Sequence, residues 1–281
     1  MHALPFLLAL ASAALLAPAL LRMLAQGGHL KANWRGRELP FPFGVLVPCA
    51  ALLALIPVML VQQLGSGDVV YPELGPVALY AVGIIALGLI DDTLGEPRAG
   101  EPVARGWRGH GAALLRGELS TGVLKAVGSL GLALLAMAAL GYSSNWRWLL
   151  AAAVLVLATN AFNLLDLRPG RAGKAFVLLG LGLSIGAASV RELWTLGLFA
   201  APALVAGLYD LRERAMLGDT GANLIGALAG LWLVLTLSGT GQVIALILLA
   251  AITVYGEVRS ISGFVERTPG LRHLDSLGRP A

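Results

Sequence analysis

The feature that most constrains this chain is a succession of apolar runs too long and too numerous for a water-soluble core. A stretch of about 17–25 apolar residues crosses a bilayer as a helix. Nine occur, at 4–24, 43–64, 74–90, 120–141, 148–165, 174–190, 193–209, 221–238 and 242–258. The short fifth and sixth are the weakest spans, and one of them is a candidate re-entrant segment. Charged residues make up only 13% of the 281 positions, about half the share of ordinary soluble domains, so a soluble fold could not cover its surface. The expected fold class is all-α: a polytopic integral membrane protein of about nine transmembrane helices, forming a single domain over 1–281. The one cysteine, Cys49, lies inside an apolar run, which excludes a disulfide scaffold.

Basic residues between the spans predict an orientation. Arg22, Lys31, Arg35 and Arg37 follow the first span, and Arg98, Arg105, Arg108 and Arg116 follow the third. Arg168, Arg171 and Lys174 follow the fifth, and Arg212 and Arg214 the seventh. With Arg259, Arg267, Arg272 and Arg279 in the tail, 17 of the 20 basic residues fall on one side. Arg147 and Arg191 fall on the other, and Lys125 lies within a span. The positive-inside rule then predicts an outside N-terminus, nine crossings and a cytoplasmic C-terminus; the expected location is the cytoplasmic membrane. The first run lacks a basic lead and a cleavage site, so it reads as a span rather than a removed signal. The longest cytoplasmic connection is expected over 91–118. The net charge of +4 reports this topology, and no nucleic-acid partner is expected.

Ionisable groups at the ends of membrane helices are costly and mark candidate sites. Asp91 and Asp92 end the third span, Asp166 closes the segment NAFNLLD, and Asp219 lies in LGDTGAN at the mouth of the eighth. The charge-based topology puts all of them on the cytoplasmic side. Each also has a plainer reading. The Asp pair suits a solvated helix end, and Asp219 suits an N-cap. Asn160, Asn163 and Asp166, at i, i+3 and i+6, share one helix face and suit helix–helix hydrogen bonding. Carboxylates and amides at a membrane surface equally suit Mg²⁺, which takes one or two carboxylates plus substrate phosphates. A helix N-terminus at 218–221 would offer N–H groups to phosphate. Lys125, Arg168, Arg171 and Lys174 would supply cations for phosphoryl transfer.

GLIDD at 88–92, NAFNLLD at 160–166 and LGDTGAN at 217–223, in this order, resemble the polyprenyl-phosphate N-acetylhexosamine-1-phosphate transferases, as does KANWRGRELPFPFG at 31–44. The resemblance implies transfer of a sugar 1-phosphate from a UDP-sugar to a polyprenyl phosphate, such as undecaprenyl phosphate. It implies Mg²⁺ as cofactor, release of UMP, and a role in peptidoglycan or surface-polysaccharide synthesis. It implies Asp219 as metal ligand, Asp91, Asp92, Lys125 and Asp166 as catalytic, and Asn160 and Asn163 as substrate-binding. Membrane lipid is an implied partner, and a homodimer is suggested by the resemblance alone.

Three places depart from the family pattern. LRPGRAGK follows Asp166 where the family carries a Gly-x-Asp-Gly loop. Met216 stands where relatives carry an aromatic that stacks on uracil, and ERTPGLRHLDSLGR, with the lone His273, replaces a histidine cluster. Arg168 and Arg171 are therefore expected to grip the donor diphosphate or the lipid phosphate. Selection of the donor base is expected to be weaker than, or different from, uridine, since Met216 offers an adaptable surface. The competing expectations are a non-catalytic membrane binding or regulatory homologue and a lipid transporter. A transporter predicts ionisable groups near the midplane, whereas these acids cluster at one surface.

Overall fold

The computed structural model describes residues 1–65, 67–95, 120–142 and 145–280. Every one of the nine apolar runs forms helix. In chain order the first are α1 (Leu4–Gln26), α2 (Leu46–Leu64), α3 (Leu74–Leu94), α4 (Thr121–Ala139) and α5 (Trp146–Leu165). They are followed by α6 (Arg171–Ala187), α7 (Arg191–Thr195), α8 (Gly197–Leu211), α9 (Gly218–Thr236) and α10 (Gly239–Val258). Two short helices, α11 (Ile261–Arg267) and α12 (Pro269–Ser276), form the tail. The expected connection over 91–118 lies outside the described residues from 96 onward, together with Arg98, Arg105, Arg108 and Arg116; residues 91–94 belong to α3.

Side-chain caps set several starts. Ser120 accepts from the Val123 N–H ahead of α4, Asn145 from the Arg147 N–H ahead of α5, and Ser238 from the Gly241 N–H ahead of α10. Each satisfies a helix donor that would otherwise lack a partner.

Among the described residues, seven helices are long and apolar enough to cross a membrane: those of the first five runs, α9 and α10. Large apolar side chains point outward along them, including Leu15, Leu52, Ile56, Leu60, Ile244 and Ile247. A surface of that kind is stable in lipid and not in water. The protein is an all-α polytopic membrane protein. The weak spans are the sixth and seventh rather than the fifth. Helix α6 has 17 residues and α8 has 15, whereas α5 runs a full 20. The seventh run is divided at Leu196, which ends the single turn of α7 and starts α8.

Helix α9 forms the centre, with every residue from Thr220 to Val234 buried. It packs against α5, α3 and α6, while α1 joins α2 to α8 and α10 lies along α5. Small residues permit these close approaches, as is usual between membrane helices. A Cβ on Gly226 would fall 2.7 Å from both the Ala158 carbonyl oxygen and the Thr159 Cα. Beyond the helices the described residues form one antiparallel ribbon, Leu30–Ala32 with Glu38–Pro40. Its turn is held by Asn33, whose Oδ1 accepts from the N–H groups of Arg35 and Arg37, and whose amide donates to the buried Glu213 at 3.3 Å.

Candidate active site at one end of the bundle

Helix α3 continues through the Asp pair, so Asp91 and Asp92 stand on its last turns rather than in a loop. Gly88, one turn earlier, lets α3 touch the start of α9: a Cβ there would lie 2.6 Å from the Asp219 carbonyl oxygen. This approach decides the fate of Asp92. Its Oδ1 accepts the Asp219 N–H at 2.8 Å, and its Oδ2 accepts the Thr220 N–H at 2.8 Å and the Thr220 hydroxyl at 2.6 Å. The cap of α9 therefore comes from another helix. Asp219 is not the cap, because α9 already starts at Gly218 and places Asp219 in its first turn. Two of the N–H groups in the expected phosphate cradle at 218–221, those of Asp219 and Thr220, already have a carboxylate acceptor.

Asp91 takes a different partner. Lys125, near the start of α4, donates from Nζ to Asp91 Oδ2 at 2.7 Å and also to Asp219 Oδ2. The three side chains keep 20–27% of their surface exposed, so the ion cluster opens to solvent. Gly218 precedes it in a left-handed conformation, φ 70°. A side chain there would be strained, and its Cβ would fall 2.6 Å from Asp92 Oδ2 and 2.7 Å from Pro42.

The stretch after α1 docks on the same end. The Phe43 N–H donates to the Met216 carbonyl at 2.8 Å, the Gly44 N–H to the Leu217 carbonyl at 2.9 Å, and the Met216 N–H to the Pro40 carbonyl at 3.0 Å. Met216 is thus built into a backbone ladder beside Asp219. Lys31 lies over the Phe41 ring, 4.4 Å from its centre, and its charge acts on Asp92.

Asp166 stands just past the end of α5, at the same end of the bundle. Part of the residue stays exposed, yet burial of its carboxyl, and the charges of Asp210, Asp219 and Asp92, push that carboxyl well above the usual range. Asp210, which the sequence did not single out, is buried and accepts the Gly170 N–H at 2.6 Å. It thereby fixes the turn between Asp166 and α6. Asn160 is directed elsewhere: its amide donates to Thr253 Oγ1 on α10 at 3.3 Å, the helix–helix role. Asn163, one turn on, is half-buried.

The two loop arginines already have carboxylate partners. Arg171 is 6% exposed and forms a two-point contact with Asp275, at 2.9 and 3.0 Å, and a bond to Ser262. Arg168 pairs with Glu266 at 3.1 Å and stacks over Trp34. Lys174 donates to the carbonyls of Leu274, Asp275 and Leu277. These cations anchor the tail. No group of three or more His, Cys, Asp or Glu side chains converges as a metal set among the described residues. The chain matches no family model and is similar to no curated protein.

Proposed function

We propose that the protein transfers a sugar 1-phosphate from a nucleoside-diphosphate sugar, such as a UDP-N-acetylhexosamine, to a polyprenyl phosphate in the cytoplasmic membrane. The observation that carries this reading is the meeting of Asp91, Lys125 and Asp219, which lie 34 and 94 residues apart in sequence. Two motif-bearing helix ends and the lysine of α4 converge on one spot where carboxylates and an ammonium face solvent. In this reading the site end is cytoplasmic, the chain crosses nine times, and the basic loops flank the reaction.

Asp91 and Asp219 offer hard oxygen donors from two helices, and a cationic group already lies between them, so the pair fits Mg²⁺ held with substrate phosphates. Mg²⁺ so held would lessen repulsion between the anionic substrates and stabilise charge on the transferring phosphoryl group. Lys125 holds a positive charge where the two phosphates would approach. Asp92 fixes the position of Asp219 by holding the start of α9. An oxygen of the lipid phosphate attacks the sugar-bearing phosphorus, the diphosphate P–O bond breaks, and the nucleoside monophosphate departs. An apolar cavity of about 560 Å³ supports a lipid acceptor; Leu165, Leu178, Leu248, Ile252 and Phe264 line it, and Lys174 lies in its wall.

The test is a purified protein supplied with polyprenyl phosphate, Mg²⁺ and a panel of nucleotide sugars. Lipid-linked sugar phosphate and free nucleoside monophosphate are expected together. Asp219→Asn is expected to reduce both by orders of magnitude. Absence of product with every donor would remove the reading.

A further inference from the structure

The ammonium of Lys125 stands between two carboxylates of a pair that offers oxygen to a hard cation. A second feature lies further along α9. Asn223 is one turn beyond Asp219 on α9, on the stripe that continues to Gly226 and Gly230 and faces α5. The residue is 2% exposed, and its amide nitrogen is buried without a hydrogen-bond partner. A buried amide nitrogen without a partner is costly and is a natural place for a ligand contact. A half-turn of the amide exchanges its nitrogen and oxygen, which would present a neutral oxygen donor of the kind that hard cations accept.

We propose that Lys125 is a displaceable placeholder: a divalent cation and the Lys125 ammonium compete for Asp91 and Asp219, and Asn223 completes the oxygen set around the cation. The inference rests on the cation-dependent transferase reading above. A lysine suits the part because its charge sits at the end of a flexible stem and leaves without moving a helix. Once displaced, the ammonium is available to a substrate phosphate, so cation entry and substrate capture become one event.

The test measures Mn²⁺ binding by electron paramagnetic resonance on the full chain in detergent, after chelation. Lys125→Met removes a charge that repels the ion at close range and is expected to tighten Mn²⁺ binding about tenfold or more. Lys125→Arg, which keeps the charge, is expected to bind no more tightly than wild type. Asn223→Leu is expected to weaken binding while Lys125 remains paired. Metal-free Lys125→Met is expected to melt at a lower temperature than wild type, and Mn²⁺ to raise it by the larger shift, since two carboxylates are left without their cation. Equal Mn²⁺ affinity in wild type and Lys125→Met overturns the exchange, and so does absence of Mn²⁺ binding in both. Transfer assayed on the same preparations separates the two ideas. Mg²⁺-dependent transfer with unchanged affinity sinks the exchange and leaves the transferase; exchange without transfer does the reverse.

Discussion

Asp91 and Asp92 are neighbours on one helix, yet their carboxylates face different partners. Asp92 accepts three hydrogen bonds from Asp219 and Thr220, whereas Asp91 holds Lys125. Asp92→Ala is therefore expected to destabilise the protein by about 1–2 kcal/mol, the loss of a helix cap, seen as a lower melting temperature in detergent. Asp91→Ala is expected to cost less stability, because its pair with Lys125 is partly exposed and such pairs contribute little. Equal losses would contradict the division of roles. The sequence made the acidic cluster legible through its position at helix ends, but not this division. Which carboxylate caps α9 depends on the close approach at Gly88, a tertiary contact with no local signal. Asp210 was hidden for a similar reason. In LYDLRER it reads as one more charge at a membrane edge, and only the fold brings Gly170 to it.

At the scale of elements, the tail is tied down by charge. Burial alone would raise the Asp275 carboxyl, but hydrogen bonds from Arg171 and Arg279 hold it down at about 2. A carboxyl depressed on folding stabilises fully above its unfolded pKa of about 3.9, and that contribution is lost as pH falls through about 2. The clamp on α12 is thus complete at neutral pH. Asp275→Asn is expected to speed limited proteolysis between Ser260 and Arg279 at pH 7 several-fold, with the helix bundle left intact. Helix contacts give a second prediction. Gly88→Ala puts a methyl 2.6 Å from the Asp219 carbonyl and is expected to destabilise by about 1–3 kcal/mol, as overpacking does; a thermal melt measures it. The spans themselves were legible because apolar length is a strong signal. The short sixth span was legible too, but the shortness of α8 was not, because apolarity runs on through Leu196, where the helix is divided. The carboxylate partners of Arg168 and Arg171 were not legible, because Glu266 and Asp275 lie about a hundred residues away.

For the molecule as a whole, alternate helix ends gather into two polar rims. One holds the Asp91, Lys125 and Asp219 cluster; the other holds the Glu73–Arg191 pair at 2.7 Å and the stacked rings of His2 and Tyr71. In a Cys49→Ser background, single cysteines at Gly67 and Arg212 are expected to react with an impermeant thiol reagent from opposite sides of the membrane, Arg212 from the cytoplasm. Labelling from the same side would reverse the topology drawn from the basic residues. The cross-helix cap carries a further meaning when the chain is considered in time. A ribosome delivers α3 to the membrane well before α9, and Asp92 lies 127 residues ahead of the N–H group it caps. Until α9 arrives, Asp92 has no donors from that helix and the Asp91–Lys125 pair lacks its third member. A nascent chain stopped after Leu211 holds eight of the twelve described helices and no complete cluster. Assembly of the cluster therefore reports that insertion has reached the centre of the bundle, and a chain cut short there lacks it however well its earlier helices have packed.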